Sequence, residues 1–305
     1  MRPVVADPVI LGDWGGTRLR LWLRQEGTTV AASEAPGLLV AQDRPEQVLR
    51  DALDRLGGAA QIGRIVLCGM AGARDGLAEA GYVPCPAGSG EWIGAALQTS
   101  LGDLPITILP GFSDRDRQGR PDVMRGEEAQ VFGALARQQA DEMRPVDIVL
   151  PGTHSKWVRV EEGRIAHFAT CPTGELHARL LGSSMAPREP HEDDRGHADG
   201  FSAGIDRARE GGPLMASLFE ARAAQLLDRR SGDWARGFLS GLLIASEIAA
   251  MAPAPVRGRA PVLVGSADLV RLYRTAFAKF GLDCRTVDGE SCALAGLEIA
   301  HDQLG

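Results

Sequence analysis

Lysine is almost missing from this chain. Lys156 and Lys279 are the only two among 33 basic residues, so arginine carries nearly all the positive charge. Acidic residues number 40 and the formal net charge is −7. No basic stripe appears, which argues against a nucleic-acid-binding protein. The five cysteines, Cys68, Cys85, Cys171, Cys284 and Cys292, form no C-x-x-C pair. An odd number of thiols in a chain of 305 residues argues against a disulfide framework. Met1–Asp7 lacks a basic segment leading into an apolar one, so no secretory signal is expected. No run of about eighteen apolar residues occurs either. The most apolar stretch, 238–251, is broken by Ser240, Gly241, Ser246 and Glu247. The expectation is a cytoplasmic protein with neither a membrane nor a nucleic-acid partner. Several catalytic signatures are also missing. There is no Gly-Lys pair for a P-loop, no H-E-x-x-H helix and no EF-hand loop.

What the chain does contain begins at its first apolar run. The segment ILGDWGGTRLRLWLR, Ile10 to Arg24, breaks at Asp13, turns through Gly15-Gly16-Thr17 and resumes in strict alternation. Leu19, Leu21 and Leu23 share one side; Arg18, Arg20, Trp22 and Arg24 share the other. The middle reads as a hairpin whose glycines allow positive φ and close backbone approach. A plain glycine turn needs neither the aspartate nor the threonine. An anion site uses both, with free backbone N–H groups, a hydroxyl donor and a carboxylate for a metal.

The pattern recurs. VILGDWGGTRLRLWLRQEGTTVAA starts at Val9 and DIVLPGTHSKWVRVEEGRIAHFAT at Asp147. Each runs from a buried strand through a small-residue turn to an alternating strand. Each then turns at a Glu-Gly pair, Glu26-Gly27 or Glu162-Gly163, into a third strand. Meanders are common, but an internal repeat predicts two similar α/β domains whose glycine turns grip one polyphosphate. The length suffices for two cores. Elsewhere RIVLCGMAGA and ITILPGFS read as strand and loop, and GEEAQVFGALARQQ, WARGFLSGLLIASEIAAM and CALAGLEIAH as helices. APVLVGSADLVRLYRTAFAKFG reads as strand, turn and helix. Pro187–Gly200, with mixed charge and no apolar face, reads as an exposed loop or lid.

A gripped polyphosphate calls for a metal anchor, a base and an acceptor pocket. Asp13 is the metal candidate, acting through water, because magnesium keeps much of its hydration. Gly126-Glu127-Glu128 opens a helix, where a carboxylate can take a proton from an attacking hydroxyl. The same two residues equally complement a helix dipole. Gly152-Thr153-His154 and Lys156 are placed to meet β- and γ-phosphates. Read otherwise, Lys156 is a solvated strand residue and His154 a hydrogen-bonded turn residue. Gly265–Asp268 opens a helix after a strand, which suits nucleotide contact and also a structural turn.

Eight segments in order resemble the 2-keto-3-deoxygalactonate kinases, also called 2-dehydro-3-deoxygalactonokinases. They are GDWGGTRLRLW (12–22), CGMAGARDGLAEAGYVPCPA (68–87), ILPGF (108–112), DVMRGEEAQVFGA (122–134), VLPGTHSKWV (149–158), TGELHARLL (173–181), FLSGLLIASEI (238–248) and LVGSADL (263–269). The succession MRGEE, PGTHSKW, TGEL is the most specific part. The resemblance implies the α/β fold of the sugar kinase, heat-shock ATPase and actin superfamily. That fold has two ribonuclease-H-like domains around a central nucleotide cleft. The implied domains are 1–143, for sugar-acid and phosphate/Mg contacts, and 144–290, for nucleotide; the C-terminal helix 291–305 is a candidate addition to the first.

The implied reaction is transfer of phosphate from ATP, with Mg2+, to the 6-hydroxyl of 2-keto-3-deoxygalactonate. Asp13 then lies near magnesium, and Gly15, Gly16, Thr17, Gly152, Thr153, His154, Lys156, Gly265 and Ser266 serve ATP. Many relatives use an aspartate as base ahead of the second hairpin. Here the segment is RGEEA, closer to exopolyphosphatases, so Glu127 is the first choice for the base and Glu128 the second. The acceptor carboxylate calls for an arginine, with Arg18, Arg74 and Arg125 beside glycine-rich motifs. Met70-Ala71-Gly72 and Thr173-Gly174-Glu175 would line the sugar end, with Glu175 accepting from hydroxyls or merely opening a helix. Three other readings stand beside this one: a kinase for the 2-keto-3-deoxygluconate epimer, a phosphohydrolase of the same fold, and a sugar-sensing protein. A homodimer is admitted as an assembly.

Overall fold

The computed structural model describes residues 8–41, 44–57, 62–137, 145–186, 193–252 and 260–304. The chain divides into two compact units. One comprises Met1–Pro145, Val158–Phe168 and Gly289–Gly305, the other Val146–Trp157 and Ala169–Asp288.

In chain order the elements begin with β1 (Val9–Trp14), β2 (Arg18–Gln25), β3 (Thr28–Pro36), α1 (Leu38–Ala41), α2 (Pro45–Asp54), β4 (Arg64–Gly69) and β5 (Tyr82–Pro84). They continue with α3 (Ser89–Gly94), β6 (Leu97–Leu101), β7 (Leu104–Ile108), β8 (Gly111–Arg115), β9 (Pro121–Met124) and α4 (Glu127–Arg137). Then come β10 (Val146–Leu150), β11 (Ser155–Glu161), β12 (Arg164–Cys171), α5 (Thr173–Leu180), α6 (Asp194–Arg209), α7 (Leu214–Leu227) and α8 (Gly232–Met251). The chain closes with β13 (Val262–Gly265), α9 (Ala267–Lys279), β14 (Arg285–Asp288) and α10 (Gly289–Leu304).

Two larger sheets share one plan. Their orders are β3-β2-β1-β4-β7-β6 and β12-β11-β10-β13-β14. In each, three consecutive strands lie side by side, and the first of them pairs on its other edge with a parallel strand, β4 or β13. Parallel neighbours need a crossover, which is why helices follow. The two Glu-Gly turns match as well. Glu26 and Gly27 have φ of 50° and 74°, Glu162 and Gly163 51° and 70°. Both central residues of each turn are left-handed, the twist-matched type I′ geometry of two-residue hairpins. Gly15 and Gly16 differ from expectation: neither has positive φ. Their turn is instead closed by Gly15 N–H donating to Arg18 O (2.8 Å). A three-stranded sheet, β5-β8-β9, adds to the first unit; its strands are too short to show a period in the sequence.

Alternation sets the two faces of the first sheet. Ile10, Trp14, Leu19, Leu21 and Leu67 form a core with Leu49 and Leu53 of α2. The opposite face, with Asp13 and Arg20, lies under α10, where Arg20 and Arg24 pair with Glu290 and Glu298. A second core gathers Val149, Trp157, Phe201, Ile205, Ile244, Leu263 and Phe277.

The expected loop at Pro187–Gly200 lies outside the described residues as far as 192. From Asp194 onward it is a helix, α6, capped by the Asp193 side chain accepting from Arg195 N–H (3.1 Å). Its packing face sets Gly200 and Gly204 beside Phe201 and Ile205. A Cβ at Gly200 or Gly204 would stand 2.0 or 2.1 Å from a carbonyl oxygen of α8, and one at Gly237 or Gly241 equally close to α6. All five cysteines are free thiols. Among the described residues no helix is long and apolar enough to cross a membrane.

Candidate active site

Asp13 is the penultimate residue of β1, and its register partners are Arg20 on β2 and Cys68 on β4. Arg20 reaches its carboxylate at 3.3 Å and with its other terminal nitrogen reaches Glu290, also at 3.3 Å. The Cys68 thiol donates to Asp13 at 3.8 Å. Burial raises the Asp13 pKa; Arg20 opposes this, while the charges of Glu127 and Glu290 add to it.

Glu127 comes near because two glycines meet. Gly69, at the end of β4, has φ 75°, and a Cβ there would be 2.4 Å from Trp14 O. Gly126, just before α4, has φ 106°, and its Cβ position is 3.2 Å from Gly69 Cα. Side chains at either place would push β1, β4 and α4 apart. The two glutamates then separate in role. Glu128 is fully buried, and both its oxygens accept from Gly126 N–H at 2.8 Å. Burial, with the Glu127 charge beside it, lifts its pKa to about 8. Glu127 is half-buried and accepts from Arg125 N–H at 3.0 Å.

The remaining predicted residues of this unit spread out. The carbonyls of Gly15 and Gly16 accept from Leu38 and Leu39 of α1, and Thr17 is exposed. Arg18 is exposed and pairs with Glu34 at 3.5 Å, and Arg74 is exposed. Met70-Ala71-Gly72 is a single 3-10 turn with Ala71 and Gly72 buried. Arg125 packs directly over it, its Nη1 lying 2.7 Å from where a Gly72 Cβ would be. Its Nη2 donates to Ala80 O at 2.7 Å, and its guanidinium lies 4.2 Å above the Tyr82 ring. Its Nε and Nη1 are buried with no partner.

The second unit gathers its predicted residues more tightly. A Cβ on Gly174 would be 2.4 Å from Gly152 O, Glu175 N–H donates to Thr153 O (2.9 Å), and His154 contacts Glu175 at 2.8 Å. The His154 hydrogen bond holds the Glu175 carboxyl below its usual range. Glu175 is therefore committed to the PGTHSK turn. Lys156 is not a solvated strand residue: it is 3% exposed and donates to His154 O at 3.0 Å. The Thr173 hydroxyl points inward to Glu247. Gly265 is the last residue of β13, at the carboxyl end of that strand, its Cβ position 3.6 Å from Pro151 O, and Ser266 is the exposed N-cap of α9. A cavity of about 380 Å³ opens beside it, lined by Gly265, Arg271, Arg274, Thr286 and Asp288. Carboxyl ends of parallel strands are where open α/β sheets take ligands.

Sequence reasoning missed Arg20, Glu290, Glu247 and Tyr273. Arg20 had a signal: it lies opposite Asp13 if the hairpin is drawn with a two-residue turn at Gly16-Thr17. The others had none, since each is far along the chain from what it touches.

The two larger sheets, each built on the same three-strand meander with a parallel strand beside it and flanked by helices, define the actin-like ATPase fold. Component A of (R)-2-hydroxyglutaryl-CoA dehydratase from Acidaminococcus fermentans shares it at TM-score 0.52 and 12% identity, over 98% of this chain and 99% of that one. Within that class the sequence is more particular. Residues 13–300 match the family described as 2-keto-3-deoxy-galactonokinase, and the chain belongs to that family. It is 36% identical over 295 residues to the 2-dehydro-3-deoxygalactonokinase of Escherichia coli (strain K12), covering 95% of this chain and 96% of that protein. It is 39% identical over 299 residues to DgoK1 of Rhizobium meliloti (strain 1021), with 94% of each covered. A Sinorhizobium meliloti crystal structure bearing the same enzyme name superposes at TM-score 0.87, with 37% identity over 97% of this chain and 99% of that one.

Proposed function

We propose that the protein transfers the γ-phosphoryl group of ATP to the 6-hydroxyl of 2-keto-3-deoxygalactonate, giving the 6-phosphate. Family membership supports the reaction. The observation that carries the residue roles is the meeting of Gly69 with Gly126, which brings Glu127 into the electrostatic reach of Asp13.

In this reading Glu127 accepts the proton of the 6-hydroxyl. It is preferred to Glu128, which is fully buried and spent on Gly126 N–H. Asp13 is the residue to hold Mg2+. Its surroundings fit a cation: the Asp13 carboxylate is 7% exposed and feels the negative charges of Glu127 and Glu290. Magnesium keeps several waters and is bound by one or two carboxylates plus substrate phosphates. When bound it would neutralise charge on the phosphates. Gly152 and Thr153 offer backbone N–H groups to the phosphates, and the groove beside Gly265 takes the nucleoside. Of the three arginines weighed for the acceptor carboxylate, Arg125 is favoured, because Arg18 already has Glu34 and Arg125 alone keeps buried donors unmet. The ATP requirement favours a cytoplasmic site of action.

Kinetics test the roles. Asp13→Asn and Glu127→Gln should each stay folded and lose at least ~10²-fold in kcat, with a smaller change in KM. If Glu128→Gln shows that loss and Glu127→Gln does not, the base is assigned one residue early.

A further inference from the structure

Glu247 lies on α8 and is 5% exposed. An ionisable group buried this far is a liability unless paired. Three side chains from three other elements converge on it. Trp157 Nε1 of β11 and the Tyr273 hydroxyl of α9 each donate at 2.7 Å, and the Thr173 hydroxyl of α5 donates as well. The Tyr273 oxygen is in turn 2.8 Å from Ser155 Oγ. Since Tyr273 gives its proton to Glu247, Ser155 is the donor, and the chain runs Ser155 to Tyr273 to Glu247.

Ser155, Trp157 and Tyr273 belong to segments that continue the turns assigned to the nucleotide, and Thr173 to a turn that packs on one of them. Ser155 and Trp157 directly follow Gly152-Thr153-His154. Thr173 directly precedes Gly174, which packs on Gly152 O. Tyr273 stands on the helix that Ser266 opens. Thr153 and His154 themselves are exposed, and nothing lies within 4 Å of a Cβ position on Gly152. The turn is open in front, so its shape must be held from beneath. An apolar residue at 247 would fill the space without the desolvation cost of a carboxylate. A fully satisfied polar network fixes one geometry instead.

We propose that Glu247 is a positioning residue for the nucleotide phosphates. It joins the PGTHSK turn to the Thr173-Gly174 turn and to α9, and so holds the backbone N–H groups of Gly152 and Thr153 in their anion-binding arrangement. Such a cradle works only when it is preorganised. The inference rests on the kinase reading above.

The test uses the full chain and two variants, Glu247→Gln and Tyr273→Phe. For each, ATP and sugar-acid KM, the Kd for Mg-ADP by calorimetry, Tm, and amide exchange at 152–156 and 173–175 are measured. Glu247→Gln should raise ATP KM and ADP Kd by about tenfold and Tyr273→Phe by about threefold, each a larger change than that in sugar-acid KM. Exchange in both turns should speed up together. A lowered Tm with ATP KM and ADP Kd unmoved would make the network structural only and overturn the inference. If Glu247→Gln does not fold, Tyr273→Phe decides, and an unchanged ADP Kd there overturns it. Wild-type protein that neither turns over ATP nor binds ADP would sink the kinase reading and this inference together. Wild-type activity with unmoved variants sinks the inference alone.

Discussion

Asp13, Glu127 and Glu128 are three carboxylates in one buried corner, and their environments pull them apart. Glu128 gives the clearest signature. Its pKa rises from 4.5 in the unfolded chain to about 8 in the native one. Between those values the native state holds a proton that the unfolded state has released, so this group's contribution is full below pH 4.5 and is lost as pH rises toward 8. Glu128→Gln keeps an acceptor for Gly126 N–H and removes the titration. Its stability relative to wild type should therefore climb between pH 5 and pH 8.5, by about 2–4 kcal/mol in chemical denaturation. Parallel stability curves would show that Glu128 does not titrate in that window. Arg125 makes a different prediction. Arg125→Ala should raise the KM for the sugar acid about 10²-fold while the KM for ATP stays in place. Equal loss for a substrate analogue lacking the carboxylate would remove Arg125 from that role. At this scale the sequence exposed Asp13 and the Glu127-Glu128 pair through their motifs. It did not separate Arg20 from Arg18, because alternation puts both on one face. Only the Asp13–Arg20 register does so.

The elements were legible where an aliphatic period runs through them, even in α4, α8 and α10, which also bury glycine. Strands β1, β2, β10, β11 and β13 and helices α4, α8, α9 and α10 all announce themselves by hydrophobic period. Helix α6 does not, because its contact with α8 is made through Gly200 and Gly204 against Gly237 and Gly241. Such a stripe reads as polar and flexible in sequence, yet it allows two backbones to approach closely. The same device joins α4 and α10, where a Cβ at Gly133 would be 1.8 Å from Cys292 O and one at Gly296 2.0 Å from Ala129 O. A methyl group at these points meets backbone, which cannot swing aside. Gly204→Ala should lower stability by about 2–3 kcal/mol or prevent folding. Gly90→Ala, in α3 with open space around it, should be neutral or stabilising by up to about 1 kcal/mol. Equal effects in thermal melts would contradict the close-packing account.

On the scale of the whole chain, the internal repeat was the strongest message in the sequence. It survived because it rests on period-two alternation and on paired Glu-Gly turns, both local properties. The C-terminal helix 291–305 was a candidate addition to the first domain, and by contact the first unit takes in Val158–Phe168 and Gly289–Gly305 from later in the chain. Nothing local marks Val158–Phe168, whose Ile165 bridges to Ala87 far earlier in the chain. The central claim is that these units make a sugar-acid kinase. The most direct measurement is ADP release by purified protein with Mg-ATP and a panel of sugar acids that includes both 2-keto-3-deoxy epimers. Release that depends on 2-keto-3-deoxygalactonate, yielding its 6-phosphate, is the predicted result. Release at the same rate with no sugar acid present would contradict the account and make water the acceptor.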